Sequence, residues 1–154
     1  MSKNYFLSWD ELHRDTRLLA KELLGGSWKG IIGIARGGLV PAAILARELD
    51  LRLIDTLCIA SYDHDQQGDI SVLKNIDGDG DGYLLVDDLV DTGTTAKVAQ
   101  QLLPKATFVC LYAKPAGKAL TQTFIQEFPQ DTWLHFPWDI AYSYSTPLAD
   151  QPKS

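Results

Sequence analysis

Asp87 and Asp88 follow the apolar run Tyr83–Val86, and Asp91, Thr92, Gly93, Thr94 and Thr95 come directly after the short step Leu89-Val90. That order describes a phosphate and sugar site. An apolar run of this length fills a buried strand, and two carboxylates at its carboxyl end lie where ligands bind in α/β sheets. The glycine turn then leads into a helix near Ala96, whose first N–H groups have no partner within the helix. Those groups point at a phosphate, the helix dipole adds to the attraction, and the threonine hydroxyls supply further donors. Alone, an Asp-Asp pair is usually a solvated strand end. The adjoining DTGTT string, Asp91–Thr95, is what argues otherwise.

A second glycine loop, Arg36-Gly37-Gly38, follows the apolar run Gly30–Ala35. In a parallel sheet these two loops would lie side by side and could hold two separate phosphate groups.

The elements that must position these loops can be read from pattern. Ser8 and Glu11 make a capping box, followed by Leu12, Leu19 and Leu23 at helical spacing and stopped by Gly25-Gly26. Gly30–Ala35 reads as a strand, and Val40–Leu49 as a helix with Pro41 in its first turn. Leu51–Tyr62 is apolar and β-branched enough for a second strand, after which residues 63–81 turn polar and read as a long mobile lid. The pattern then repeats as a strand over 83–88, a helix over 95–103, and a strand over Thr107–Ala113. Alternating strands and helices predict an α/β fold with a mainly parallel central sheet and helices on both faces. The tail from Ala119 has aromatic groups without helical period, and reads as a small cap or hood built onto the sheet.

The chain has 154 residues, 45% of them apolar, which suits one domain over 1–154 with a sizeable core. A net charge of -6 without a basic cluster argues against nucleic acid as a partner. No apolar run reaches the roughly 20 residues of a membrane span, and the first residues lack a signal-peptide core, so the expected location is the cytoplasm. Cys58 and Cys110 lie in strand-like runs and read as reduced, packed thiols. Trp9, Trp28 and Trp138 read as packing residues, and His13, His64 and His135 lack ligand spacing for zinc. Asp77, Asp79, Asp81 and Gly82 fit a calcium-loop pattern with Asp88 at its twelfth position, but a strand runs through the would-be loop and an Asp replaces the terminal Glu.

The string Val86–Thr95, an apolar strand, two acids and D-T-G-x-T, resembles the phosphoribosyl diphosphate signature of the type I phosphoribosyltransferases. Ala35–Pro41, Ser61–Asp65, Ala113–Lys118 and Gln130–Asp139 are similar, in matching order, to the bacterial subgroup of that family that uses xanthine and guanine. The resemblance implies that Arg36, Gly37 and the whole segment Asp87, Asp88, Leu89, Val90, Asp91, Thr92, Gly93, Thr94 and Thr95 bind phosphoribosyl diphosphate. It implies ribose hydroxyls and Mg2+ at the acid pair, with Asp88 as the metal contact, and Asp91 as the catalytic acid/base near nitrogen 7 of the purine. The purine site falls on Asp91, on Lys114 for the oxygen at carbon 6, on Trp133 for stacking, and on the Leu134 backbone carbonyl for the group at carbon 2. An ammonium donates and cannot accept, so Lys114 would favour a 6-oxo purine over adenine.

The same resemblance implies a purine-binding tail at about 114–146, a mobile lid at about 63–74, a cis peptide at Ala35-Arg36, and purine salvage on guanine and xanthine, with hypoxanthine used less well. A homotetramer and peripheral association with the inner membrane are further implications. One departure stands in the lid: Gly68 occupies a position where an arginine reaching the diphosphate is expected, with Lys74 or the mobility of the lid as candidate compensation. Two rivals remain at this stage, a non-catalytic nucleotide sensor acting on RNA or DNA, and a phosphoribosyltransferase for hypoxanthine and guanine or for another base.

Overall fold

A computed structural model describes residues 3–61, 69–139 and 146–152. Eight strands and three helices follow in the order β1 (Lys3–Phe6), α1 (Trp9–Leu23), β2 (Gly30–Ala35), α2 (Leu39–Glu48), β3 (Ile54–Ser61), β4 (Ile70–Lys74), β5 (Tyr83–Val90), α3 (Thr94–Leu102), β6 (Thr107–Ala113), β7 (Gln126–Glu127) and β8 (Thr132–His135).

The central sheet has the order β4-β3-β2-β5-β6-β7, parallel throughout except for β4, which runs antiparallel to β3. Its inner strands are apolar on both faces because both are covered. Ile31, Leu84 and Val109 point to the side of α1 and α2, where they meet Leu12, Leu19, Ala42 and Leu45. Their neighbours Ile32, Leu85 and Phe108 point the other way, onto Ala96, Ala99 and Leu103 at α3. The period of two along each strand thus divides one sheet between two cores.

α1 begins as its capping box dictates: the Glu11 N–H donates to Ser8 Oγ at 3.0 Å. Its buried face carries Leu12, Asp15, Thr16, Leu19, Ala20 and Leu23, the stripe expected of an amphipathic helix. The polar member of that stripe is satisfied, since Tyr112 Oη of β6 donates to Asp15 Oδ2 at 2.6 Å. This bond ties α1 to the strand that ends just before Lys114.

Several sequence expectations need correction. The polar stretch 63–81 contains a strand, β4, whose Ile70 packs against the second core while Val72 and Leu73 stay exposed. An edge strand with one covered residue leaves no alternating pattern to detect. Residues 62–68, and with them the first half of the lid at 63–74 including Gly68, lie outside the described residues. The strand expected from Leu51 begins at Ile54, and the strand expected to stop at Asp88 continues to Val90, because Leu89 and Val90 pair with Tyr112 and Ala113 of β6. Helices expected at 40–49 and 95–103 each begin one residue earlier.

The hood also differs in construction. β7 extends the main sheet, but β8 pairs in parallel with β1, giving a separate two-stranded sheet with Asn4 beside Trp133 and Tyr5 beside Leu134. A strand at Lys3–Phe6 was not expected, since all of its residues are exposed. Leu134 and Phe136 enter the first core from this hood.

Candidate active site

The two glycine loops come together because β2 and β5 are neighbours in the sheet. Gly37 lies directly against the Asp88 carboxylate, so closely that a Cβ there would collide with it. The glycine is required by that approach. Ala35-Arg36 is a cis peptide, and the Arg36 side chain is exposed at the mouth of the loop.

Asp87 and Asp88 sit inside the ladder, with Asp87 opposite Cys110. The Asp88 N–H donates to Asp87 Oδ1 at 2.9 Å, and the Leu89 N–H to Asp88 Oδ1 at 2.7 Å. Burial pushes the Asp87 carboxyl well above the usual range, and the charge of Asp88 adds to this. Burial likewise lifts Asp88 to about 6. Two carboxylates in poor solvent disfavour ionisation in one another, a cost that a proton or a cation relieves. Among the described residues no group of three or more His, Cys, Asp or Glu could hold a metal ion. The Asp87–Asp88 oxygen pair has the chemistry to suit a hard ion that takes its remaining ligands from substrate and water.

Leu89 and Val90 offer little through their side chains. Leu89 packs against the first core, Val90 is buried in the second, and the Val90 carbonyl accepts the Lys114 N–H at 2.9 Å. Gly93 follows with φ of 93°, a left-handed conformation that turns the strand into α3 without strain. α3 has no side-chain cap, in contrast to α1, so the N–H groups at Thr94 and Thr95 stay available to an anion. Thr92 Oγ1 and Thr94 Oγ1 lie 3.1 Å apart at the exposed rim of this turn.

Asp91 joins this loop to a second group of residues. Lys114 Nζ donates to Asp91 Oδ2 at 3.2 Å, with the lysine side chain only 4% exposed and the aspartate 45%. A buried ammonium needs such a partner. Gln130 Nε2 donates to Asp91 Oδ1 at 2.7 Å, while Gln130 Oε1 accepts from the Ala116 N–H at 2.9 Å. Sequence reasoning assigned Gln130 no role of its own; the one cue was its place in the tail block ahead of Trp133.

Trp133 presents its indole to solvent at 62% exposure, and Leu134 buries its side chain. The Lys3 N–H donates to the Asp131 carbonyl and the Leu7 N–H to the His135 carbonyl, so alternate carbonyls of β8 face β1. By that alternation the Leu134 carbonyl turns away from β1, and it meets no backbone N–H donor among the described residues. Asp139, beyond β8, has its carboxyl raised by burial, and the Arg36 charge opposes this.

Lys74, the candidate substitute for an arginine in the lid, is engaged elsewhere in this structure. Its Nζ is held by Asp55 Oδ1 at 2.9 Å and the Thr56 carbonyl at 2.8 Å, toward the start of β3 and away from the strand ends that carry the loops. The calcium reading also fails on position: Asp79 accepts the Asp81 N–H and pairs with Lys105, while Asp88 belongs to β5.

A doubly covered parallel sheet with an acid pair and a glycine turn at its carboxyl edge defines a protein of the class that binds phosphorylated sugars. Residues 8–145 match the family described as phosphoribosyl transferase domain, and the chain belongs to that family. Among its relatives is a xanthine-guanine phosphoribosyltransferase of Desulfotalea psychrophila, 56% identical over 148 residues, which are 95% of this chain and 92% of that one. Another of the same name, from Chromohalobacter salexigens, is 52% identical over 152 residues, 99% of this chain and 94% of that one. Of solved structures, a purine phosphoribosyltransferase from Pyrococcus horikoshii superposes with a TM-score of 0.78 at 25% identity, covering 94% of this chain and 99% of that one.

Proposed function

We propose that this chain is a purine salvage enzyme that transfers the 5-phosphoribosyl group of phosphoribosyl diphosphate to nitrogen 9 of guanine and xanthine, with hypoxanthine used less well. The products are the nucleoside monophosphates and pyrophosphate. One observation carries the reading: Asp91 lies at the start of the phosphate turn and is bonded to the buried Lys114. A single carboxylate thus connects a phosphate site with a cation suited to a 6-oxo purine. The relatives named above support the choice of guanine and xanthine.

In this reading residues 1–154 work as one domain, with the purine-binding tail at about 114–146. Arg36, Gly37 and the N–H groups around them hold the pyrophosphate, and Thr92–Thr95 hold the 5′-phosphate. Asp87 and Asp88 hold the ribose hydroxyls, and Asp88 would also hold Mg2+, whose positive charge would offset negative charge growing on the leaving group. The bond from the anomeric carbon to pyrophosphate breaks as the bond to nitrogen 9 forms, with inversion at that carbon. Positive charge grows on the sugar and negative charge on the leaving group, so pre-aligned donors at Arg36 and the loop amides stabilise the transition state. Asp91 takes the proton released from the purine. Trp133 stacks on the ring, and the Leu134 carbonyl meets the substituent at carbon 2.

We place the protein in the cytoplasm as a homotetramer, with peripheral association with the inner membrane as a family trait to test. Among the described residues no helix is long and apolar enough to cross a membrane. Exposed apolar side chains at Leu53, Ile54, Val72 and Leu73, at the start of β3 and on the edge strand β4, support association between copies.

The test is nucleotide formation from phosphoribosyl diphosphate and Mg2+ with guanine, xanthine, hypoxanthine and adenine supplied separately. Turnover of guanine and xanthine with little on adenine is the expected result. Equal use of adenine would remove Lys114 from base selection, and no product from any base would leave a nucleotide-binding protein without this chemistry.

A further inference from the structure

Gln130 lies on the segment between β7 and β8, far in sequence from Asp91, yet its amide touches both the phosphate turn and the turn that follows Lys114. Its orientation is set by chemistry. The Ala116 N–H can only donate, so Oε1 must face it, and Nε2 must then face the Asp91 carboxylate. Asp91 consequently has one donor on each oxygen, Gln130 on Oδ1 and Lys114 on Oδ2. With both oxygens held, the plane of the carboxylate is fixed, and each oxygen keeps a second lone pair for a ligand.

We propose that Gln130 is a positioning residue for phosphoribosyl transfer, which aims the Asp91 carboxylate at the purine and does so only when the tail carrying Trp133 and Leu134 is docked. The role rests on the function proposed above and extends it to a residue outside the phosphoribosyl signature. Gln130 is exposed, so no core packing explains it; what it does is join three loops through one planar amide. A proton acceptor misplaced by a fraction of an ångström loses rate without losing affinity, since alignment matters most in the transition state.

Two variants separate this role from simple bracing of the loop. Gln130→Ala removes both hydrogen bonds. Gln130→Glu keeps an acceptor for the Ala116 N–H but loses the donor to Asp91 and sets a negative charge against it, so a role limited to bracing the Ala116 turn would survive it. The measurement is steady-state kinetics with guanine, varying both substrates, after thermal melts have compared the folding of each variant with the unsubstituted protein. The expected result is a kcat lower by about tenfold in Gln130→Ala, the size of a lost hydrogen bond to a charged group. Gln130→Glu should fall further, while the KM for phosphoribosyl diphosphate is unchanged in both. Full kcat in Gln130→Glu with loss in Gln130→Ala would overturn the proposal in favour of bracing. Unchanged kcat in both, or an effect confined to the KM for phosphoribosyl diphosphate, would overturn it too. These outcomes differ from inactivity of the unsubstituted protein on every oxopurine, which would defeat the underlying function and the proposal together.

Discussion

Replacing Asp88 with asparagine should stabilise the metal-free protein at neutral pH even as it removes activity. The Asp88 carboxyl, ordinarily ionising near 3.8, is lifted to about 6 by burial beside Asp87. A folded pKa above the unfolded one means that the folded state holds its proton longer. The resulting destabilisation is absent below about pH 4, develops between there and about 6, and is fully present at pH 7.5. Each pH unit of displacement corresponds to ~1.4 kcal/mol, and after a discount for the carboxylate's partial exposure the penalty is about 2 kcal/mol. Asn is isosteric and its Oδ1 can still accept the Leu89 N–H, so the substitution removes charge without opening a cavity. It also relieves Asp87 of its charged neighbour. Melts in chelator at pH 7.5 should show the Tm of Asp88→Asn higher by roughly 4–8 °C. The difference should shrink as the pH is lowered toward 4. Mg2+ should raise the Tm of the unsubstituted protein at pH 7.5 and leave the variant unmoved. A variant that melts lower at pH 7.5, or a difference that does not change with pH, would refute the reasoning.

Other substitutions probe the remaining parts. Asp91→Asn should reduce kcat by about 10²-fold or more, the usual size of a general acid/base contribution. Phosphoribosyl diphosphate should still bind by calorimetry, and equal loss of binding would count against the acid/base role. Trp133→Ala should raise the KM for guanine about tenfold, a stacking contact of ~1–3 kcal/mol, while the KM for the diphosphate stays constant. Tyr112→Phe should lower stability by about 1–3 kcal/mol in urea melts, because the buried Asp15 loses a charged-group hydrogen bond.

The parts of the fold legible in the sequence are those whose physics is local. Gly30–Ala35 and Thr107–Ala113 are strands with the expected bounds because a strand covered on both faces is an unbroken apolar run. The start of α1 was legible because Ser8 and Glu11 satisfy each other within one turn. β1 and β4 were not, since both are exposed edge strands whose existence depends on partners distant in sequence, β8 for one and β3 for the other. Lys3–Phe6 has no apolar alternation of its own; its register comes from Thr132–His135. The candidate site divides in the same way. Asp87–Thr95 is contiguous, so composition and order exposed it. Gln130 is a polar residue in a polar stretch, and only its contact with Asp91 across the fold distinguishes it from its neighbours.

The parallel pairing of β1 with β8 bears on the order in which this protein becomes complete during synthesis. Lys3–Phe6 leaves the ribosome long before Thr132–His135, and a parallel ladder needs both. Strands β2, β3, β5 and β6, with both glycine loops and the acid pair, are all made by Ala113. The phosphate half of the site can therefore assemble while β1 still waits for its partner. The surface carrying Trp133 and Leu134 is the last to close, and a peptide fused ahead of Met1 would disturb that surface before it disturbed the central sheet.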